Sequence, residues 1–140
     1  MQLLSLKKAV QFEGLYDQDQ FIGLTYIAVD EKAVYLFYLA IDPAKRGHGY
    51  GSQVLTLLKE RYPAKQIFLD IEPVTSEADN YEQRQKRLAF YQHNGFNLTK
   101  HRLIDDGGIY DICTTGSHVN LQELNKLTRK MNIFAQSKIV

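Results

Sequence analysis

A glycine-rich stretch between two apolar runs constrains the fold of this chain more than any other feature. Residues 33–41 read AVYLFYLAI, without a polar position, and lead through DPAKRGHGYG into a stretch where Leu55, Leu58 and Tyr62 recur at helical spacing. Pro63 ends that predicted helix, and QIFLDI follows as another strand. A strand, a helix and a strand in one sheet require a right-handed parallel crossover. The apolar run at residues 33–41 predicts a central strand buried on both faces of the sheet.

The segments on either side of this crossover predict antiparallel strands. AVQFEGLY, FIGLTYIAV and AVYLFYLAI are separated only by DQDQ and DEK, and turns this short join the strands of a β-meander. Downstream, YEQRQKRLAFYQHNG predicts a second helix closed by Gly95, and FNLTKHRLI and IYDICTT predict a hairpin around DDGG. The predicted fold class is α/β of the α+β type, with a mixed, mostly antiparallel sheet and flanking helices.

The C-terminal region predicts one more helix. Asn120 is a predicted N-cap with Glu123 three residues later, and an apolar stripe follows at Leu121, Leu124, Leu127, Met131 and Phe134. We therefore expect a helix over residues 119–134. A chain of 140 residues, 44% hydrophobic and 24% charged, fits a single domain over residues 1–140.

Charge and cysteine content argue against several classes of function. Lys and Arg number 17 and Asp and Glu 16, so a net charge of +1 gives no basis for a nucleic-acid or membrane partner. The single cysteine, Cys113, cannot pair within the chain, and no Cys/His spacing indicates a metal site. MQLLSLKKAVQF has no apolar core followed by a cleavage site. We expect a cytoplasmic protein without a metal.

The glycines Gly47, Gly49 and Gly51 suit a phosphate-binding loop. A helix N-terminus that follows a strand offers unpaired N–H groups and the positive end of the helix dipole. Glycine permits positive φ and lets diphosphate oxygens approach the amides, and Arg46 adds a positive charge. RGHGYG alone also fits a flexible turn. The chain lacks a Lys-Ser/Thr pair after the last glycine, and a meander does not fit a dinucleotide fold, so another diphosphate ligand is indicated.

Two ordered motifs resemble signatures of the GNAT N-acetyltransferase superfamily. YLAIDPAKRGHGYGSQVL is similar to its acetyl-coenzyme A signature, Arg/Gln-x-x-Gly-x-Gly/Ala, which Arg46, Gly49 and Gly51 fill here. The second signature, an aromatic pair followed by Gly-Phe after the next helix, is present as LAFYQHNGF. The resemblance runs from residue 10 to about residue 115. More narrowly, LDIEPVTSEADNYEQRQKRLAFYQHNGF followed by YDICTTG resembles a bacterial subgroup of undefined substrate.

The resemblance implies an enzyme that transfers acetyl from acetyl-coenzyme A to a primary amine of a small molecule or peptide, by direct attack in a ternary complex. Backbone groups of Leu39 and Ile41 would pair with the pantetheine arm, which requires their strand to splay from the next one. The alternative role for Leu39 and Ile41 is that of core residues in a central strand, and their side chains also fit the sheet core. The loop amides would hold the coenzyme A diphosphate; they belong to Arg46, Gly47, His48, Gly49, Tyr50, Gly51 and Ser52.

The same resemblance indicates catalytic residues. Tyr91 matches the family tyrosine that protonates the departing thiolate, and the alternative is a half-buried helix tyrosine. Asp70 and Glu72 are the nearest carboxylates for accepting the amine proton, on alternate positions of one strand. The sequence places Glu72 at the strand's end, and we assign it the base role. A loop-stabilising or acceptor-binding role is the alternative.

The chain departs from the superfamily pattern in two places. Arg84 and Arg87 stand where asparagine and alanine are usual, and with Lys86 they fit a solvated helix face or a contact with the 3′-phosphate. Superfamily members usually carry a strand and one or two helices before the meander, whereas about ten residues precede it here.

Two interpretations of the second departure stay open. Either the chain is a shortened form, or its C-terminal helix covers the exposed sheet face or meets a second subunit; an exposed apolar face favours a homodimer. The rival function is a non-catalytic acyl-coenzyme A binding or sensing module, or an inactive remnant.

Overall fold

The computed structural model describes residues 10–130 and 138–140. Within them, the meander and the crossover form as sequence periodicity predicts. The helices are α1 (Tyr50–Arg61), α2 (Tyr81–His93) and α3 (Leu121–Arg129), and a 3₁₀ turn covers Pro43–Lys45. The strands are β1 (Val10–Asp17), β2 (Gln20–Val29), β3 (Ala33–Ile41), β4 (Gln66–Ile71), β5 (Asn97–Asp105), β6 (Gly108–Thr114) and β7 (Lys138–Ile139).

The described strands form one sheet in the order β1-β2-β3-β4-β6-β5-β7. Only β3 and β4 are parallel, because α1 carries the chain back to the starting end of β3; the other neighbouring strands are antiparallel. The predicted fold class, a mixed and mostly antiparallel sheet with flanking helices, is therefore confirmed. No helix in the described ranges has the length and apolarity needed to cross a membrane.

The parallel pairing of β3 and β4 covers only part of each strand. It runs from Ala33 opposite Gln66 to Leu36 opposite Leu69 and then stops. Beyond that point β3 stays paired with β2 through a bulge. Ile27 pairs with Leu36, but Tyr26, the residue before it, pairs with Tyr38, so β3 contains one extra residue. The two parallel strands therefore splay apart toward the carboxyl end of the sheet.

This splay corrects one expectation about β3. The sequence predicts burial of all nine residues, but only Val34, Tyr35 and Leu36 are buried, and Tyr38 is 52% exposed. The second half of the strand has lost its neighbour on the β4 side, so its apolar residues border an opening. An apolar run predicts a strand, but it carries no signal for where the adjacent strand departs.

The sheet has a separate core on each face. On one face α1 and α2 cover a cluster that includes Leu36, Leu55, Leu69 and Phe96. On the other face α3 packs over a cluster that includes Tyr35, Phe68, Ile112, Leu124 and Leu127. Burial of each such aliphatic or aromatic side chain stabilises the fold by about 1.5–3 kcal/mol.

The α3 helix begins where the sequence places its cap. The Asn120 side chain accepts a hydrogen bond from the Glu123 amide at 3.1 Å. The helix ends at Arg129, and residues 131–134, with which the predicted helix continues, lie outside the described part of the chain. Strand β7 has no counterpart among the predicted elements. It adds to the β5 edge, and the Asn125 side chain holds it through the amide and carbonyl of Ile139.

Candidate functional site

A groove of about 580 Å³ opens where β3 and β4 separate. Its walls come from the end of β3, the glycine loop, the first turn of α1 and the last two turns of α2. Nine predicted site residues line it together: Leu39, Ile41, Arg46, Gly47, Gly49, Tyr50, Gly51, Ser52 and Tyr91. The structure does not bring the side chains of His48 and Glu72 into this groove. His48 is exposed at the loop's outer side, with its ring 6.4 Å from that of Tyr50.

The glycine loop presents bare backbone to the groove. Gly47 and Gly49 have φ of 82° and 77°, where a β-carbon would meet no other atom within 4 Å. Glycine is therefore required by backbone conformation and not by lack of space. Gly49 is the N-cap of α1 and has no side chain to cap it, so the first-turn amides have no partner within the helix. These amides can hold an anion.

Positive charge surrounds the loop. Lys45, Arg46, Lys86 and Arg87 line the groove, and none of the described residues that line it is an aspartate or a glutamate. Lys45 donates to the Gln20 side chain at 2.7 Å, and Arg46 donates to the carbonyl of Ile41 at 3.2 Å, so neither cation is neutralised by its partner. Arg87 is also paired with Glu72 at 3.2 Å, which leaves three cations beside free amides without a carboxylate partner among the described residues. This arrangement favours a ligand with several phosphate charges.

Helix α2 contributes more than the sequence analysis assigned to it. Lys86 and Arg87, interpreted mainly as a solvated helix face, line the groove beside Phe90. Their spacing was an available signal, because Arg87 lies four residues before Tyr91 and therefore on the same helix face. Tyr38 and Ala40, which flank Leu39 in the β3 segment expected beside the pantetheine arm, also line the groove. Lys45 and Phe90 line it without having been predicted, since burial and approach between elements are not encoded in local spacing.

The backbone of β3 beside the groove is only partly available. No strand pairs with Leu39 on the β4 side, because the described β4 pairing ends at Leu69, three residues earlier in register. Leu39 packs its side chain against the core cluster under α1 and α2, so both of its predicted roles are compatible. The carbonyl of Ile41, by contrast, already accepts from Arg46.

The end of α2 holds Tyr91 in place. Gly95 has φ of 87°, and its amide donates to Gln92 at 3.1 Å while the Phe96 amide donates to the Tyr91 carbonyl at 3.0 Å. This pair of bonds is a Schellman motif, in which glycine adopts the left-handed conformation just beyond the helix. Phe96 is buried, and its ring packs edge-on against Tyr91 at 5.9 Å. The Gly-Phe pair thus anchors the tyrosine.

The Tyr91 hydroxyl is free to act on a ligand. Within the described residues it makes no hydrogen bond, and its side chain forms part of the groove wall. Burial raises the pKa of Tyr91, Arg87 opposes the rise, and the negative charge of Asp70 adds to it. The phenol therefore stays protonated at neutral pH and can donate a proton.

Glu72 lies in an ion-pair cluster behind the groove. Its Oε2 is 2.8 Å from Arg84 Nη2, and its Oε1 is 3.2 Å from Arg87 Nη1. Arg84 also donates to the carbonyl of Pro73 at 2.9 Å. Both carboxylate oxygens are engaged, and together these contacts tie the loop after β4 to α2. The contacts match the loop-stabilising alternative for Glu72 more closely than the base role.

Asp70 sits at the point where the strands part. It follows Leu69, the last β4 residue paired with β3, and its Oδ2 accepts from the Tyr35 hydroxyl at 2.7 Å. Burial raises the pKa of Asp70 to about 6, against the lowering effect of the Tyr35 hydrogen bond, and Asp105 adds to the rise. Burial and the same carboxylate raise the pKa of Tyr35 well above its ordinary value. Asp70 can exchange a proton near neutral pH.

Cys113 has no visible part in this site. Cys113 is buried in the core, and burial raises the pKa of its thiol to about 12, so it is a poor nucleophile. Among residues 10–130 and 138–140, no three His, Cys, Asp or Glu side chains are grouped as metal ligands.

Comparison with known proteins supplies an independent assignment. Residues 10–98, more than half of the chain, match the profile of a family described as acetyltransferase (GNAT) domain. No curated protein sequence matches the chain. A protein from Bacteroides thetaiotaomicron described as a GNAT-family acetyltransferase is similar in structure, with a TM-score of 0.68 and 22% identity over 90% of this chain and 72% of that one.

Two further solved structures carry ligands. A GNAT-family acetyltransferase from Elizabethkingia anophelis with acetyl-CoA bound has a TM-score of 0.59 and 13% identity, over 83% of this chain and 82% of that one. Naa50 from Arabidopsis thaliana, in complex with the bisubstrate analogue CoA-Ac-MVNAL, has a TM-score of 0.55 and 19% identity, over 73% and 70%. At these identities the likeness concerns the fold.

Proposed function

The chain belongs to the GNAT acetyltransferase family, and from this premise we propose that it transfers the acetyl group of acetyl-coenzyme A to a primary amine by direct attack in a ternary complex. The observation that carries the proposal is a single groove that joins free amides at a helix N-terminus, four cations, an unpaired strand end and an available tyrosine hydroxyl. An acyl donor with a diphosphate, an amide-rich arm and a thioester needs these groups in this order.

Each part of the groove has a role in the proposal. The amides of residues 46–52, with Arg46 and Lys86, bind the diphosphate and the 3′-phosphate, and the exposed backbone of β3 at Leu39 orients the pantetheine arm. Tyr91 gives its proton to the sulfur as the carbon–sulfur bond breaks. Holding donor and acceptor together supplies much of the rate. The base role of Glu72 stays a prediction.

The acceptor in this proposal is a small molecule or a peptide with a free amine. The ligand of Naa50 contains a peptide segment, whereas nothing in the groove selects one amine class over another. The proposal also includes a homodimer, for which the support is a row of aromatic side chains on the α3 face of the sheet that ends in the exposed Phe12.

Calorimetric titration of the chain with acetyl-coenzyme A tests the cofactor loop. Gly49→Asp places a negative charge where the diphosphate lies, and Gly49→Asn is the matched control, with the same shape and the same demand for positive φ. We expect micromolar binding by the parent chain and a loss of at least about tenfold in the Asp variant beyond that of the Asn variant, because one charge pair is worth more than about 1.4 kcal/mol here. Equal losses would contradict a diphosphate at this position.

Thiol release then separates transfer from binding. Acetyl-coenzyme A is mixed with a polyamine, an amino acid, an aminoglycoside or a peptide with a free N-terminus, and release of coenzyme A is followed. Amine-dependent release with any of them is the expected result. Tight binding without release across the panel would contradict the transferase and favour an acyl-coenzyme A binding module.

A further inference from the structure

We propose that Asp70, oriented by the Tyr35 hydroxyl at the apex of the strand splay, takes the proton from the attacking amine. Tyr35 acts as a positioning residue, because it touches the reaction only through Asp70. This inference rests on the proposed acetyl transfer and adds the second proton-transfer group, opposite Tyr91.

The position of Asp70 is set by the sheet. The β3–β4 pairing stops at Leu36 and Leu69, so Asp70 is the first β4 residue beside the opening. On its other side β4 remains paired with β6, where Asp70 faces Ile112, so the strand is held rigidly while one edge is open. Successive strand residues alternate between faces, which puts Asp70 on the same face as Phe68, the face opposite α1 and α2. Asp70 therefore approaches the opening from the side away from the phosphate loop.

The Tyr35 hydroxyl fixes one carboxylate oxygen and leaves the other. Tyr35 is fully buried, and its hydroxyl donates to Asp70 Oδ2 at 2.7 Å. Asp70 Oδ1 accepts no hydrogen bond from the described residues. Because no fully buried side-chain oxygen among them lacks a partner, Oδ1 must be accessible to solvent, and a ligand can reach it. A half-buried carboxylate with one oxygen held and one reachable can accept a proton in a defined direction.

Other ionisable groups surround Asp70 and define its behaviour. On β3 the facing group is Tyr35. The remaining groups that interact with Asp70 electrostatically are Asp105 on β5, Tyr110 and Cys113 on β6, and Tyr91 on α2. None of them is a cation, so no salt bridge from the described residues holds Asp70 in its charged form. The negative charge of Asp70 raises the pKa of Tyr91, so the proposed base and the proposed acid lie within electrostatic reach of each other.

The comparison with Glu72 favours Asp70. Neither carboxylate is among the residues that line the groove, so the two are distinguished by their partners. Glu72 holds two arginines with its two oxygens, so proton uptake would break an ion-pair cluster. Asp70 has a hydrogen-bond donor in place of a cation, and burial raises its pKa to about 6, close to the pH at which a base works best.

The reaction needs two proton transfers, one from the amine nitrogen and one to the thioester sulfur. The amine nitrogen bonds to the thioester carbonyl carbon, and the carbon–sulfur bond breaks. The proton lost by nitrogen passes to the Asp70 carboxylate, and the Tyr91 phenol gives its proton to the sulfur. Asp70 then releases its proton to water and Tyr91 regains one, so the products are an amide and the free thiol of coenzyme A.

Carboxylate-to-amide variants test the assignment. Asp70→Asn keeps an oxygen for the Tyr35 hydroxyl, and we expect kcat with the fastest amine of the panel to fall at least about 100-fold while acetyl-coenzyme A binding by calorimetry is unchanged. Glu72→Gln, the rival base, is expected to lose less than about tenfold, and the exposed Glu77→Gln is the control for removal of a charge from the same region. Asp70→Asn within threefold of the parent, or a larger loss in Glu72→Gln, would overturn the proposal.

The pH dependence of kcat at saturating amine identifies the group. The parent rate should fall below about pH 6 as Asp70 takes up a proton. Tyr35→Phe removes a hydrogen bond that lowers the pKa of Asp70, so the acidic limb should move to higher pH; Asp105→Asn removes a charge that raises it, so the limb should move to lower pH. Limbs that do not move in these directions would exclude Asp70.

The two levels of failure are distinguishable. If the parent binds acetyl-coenzyme A but no amine releases thiol, the proposed transferase fails and the role of Asp70 fails with it. If the parent turns over and Asp70→Asn turns over equally well, only the assignment of Asp70 fails.

Discussion

At the scale of single residues, two hydroxyl groups and one carboxylate define the proposed chemistry. Tyr91 and Tyr35 are both tyrosines with a raised pKa, but their surroundings differ: Tyr35 is fully buried and bonded to Asp70, whereas the Tyr91 hydroxyl opens into the groove. The accessible phenol is suited to donate a proton, and the enclosed one is suited to hold a carboxylate. Identical residue types thus take different roles because their burial and their hydrogen-bond partners differ.

Replacing the proposed acid should affect turnover and not binding. Tyr91→Phe keeps the ring that packs against Phe90 and Phe96 and removes only the hydroxyl. We expect kcat to fall about 100-fold with little change in KM for acetyl-coenzyme A, because a general acid acts in the transition state. Tyr81→Phe, at the other end of the same helix, is the control. Unchanged kcat in Tyr91→Phe would show that the thiolate leaves without this proton.

Asp70 should also leave a signature in stability. Its pKa is about 6 in the folded chain against an ordinary 3.8, so the folded state binds the proton more tightly than the unfolded state. Its contribution to stability is therefore complete below about pH 4 and is lost as the pH rises through 6, a change of about 3 kcal/mol. Urea unfolding of the parent and of Asp70→Asn across this range should differ by that slope. Parallel profiles would mean that Asp70 titrates normally.

At the scale of elements, the site depends on where strands and helices stop. The α2 helix ends in a Schellman motif that anchors Tyr91, α1 begins at an uncapped glycine, and the β3–β4 pairing ends at Leu36 and Leu69. Free backbone groups exist at such ends because the regular ladder of hydrogen bonds stops there. The groove is the place where three of these ends meet.

The Schellman motif gives a prediction at this scale. Gly95→Ala forces a β-carbon into the left-handed conformation and toward Lys59, and we expect a loss of about 1–2 kcal/mol in the free energy of unfolding. Gly95→Asn should lose less, since asparagine tolerates this conformation better. Denaturant unfolding measures both. Equal stability of the parent and Gly95→Ala would contradict a structural role for the glycine.

The sequence predicts most elements and only part of the site. Hydrophobic period and short turns give the meander, α1, α2 and the hairpin, and the glycine spacing locates the loop, because each of these signals is local. The splay of β3 from β4, the pairing of Asp70 with Tyr35 and the ion pairs of Glu72 all depend on residues far apart in the chain. Local spacing cannot tell which of two carboxylates on one strand meets an arginine and which meets a phenol.

At the scale of the whole molecule, the two faces of the sheet are unequal. The face with α1 and α2 carries the phosphate loop and its cations, whereas α3 covers only part of the other face. Beyond α3, Phe12 packs against Tyr26 and Tyr26 against Phe37, and Phe12 is 64% exposed. Tyr26 and Phe37 are only partly buried, and an apolar row that continues to an exposed ring is typical of a surface that meets another protein.

The proposed homodimer can be tested at this surface. We expect sedimentation equilibrium to show a concentration-dependent dimer for the parent and a monomer for Phe12→Glu, which puts a charge on the apolar row. Leu57→Glu, at a 60% exposed position of α1 outside this row, is the matched control and should leave the dimer intact. A parent chain that is monomeric at high concentration would contradict the dimer.

A ¹H–¹⁵N NMR titration of the chain with acetyl-coenzyme A tests the groove directly, because it reports on each backbone amide. We expect the largest shifts at the amides of Gly47, Gly49 and Ser52 and at Leu39 of β3, with small shifts on β5 and β6. Shifts that spread elsewhere and spare the loop, or no shifts at saturating acetyl-coenzyme A, would contradict the groove as the site of acetyl transfer.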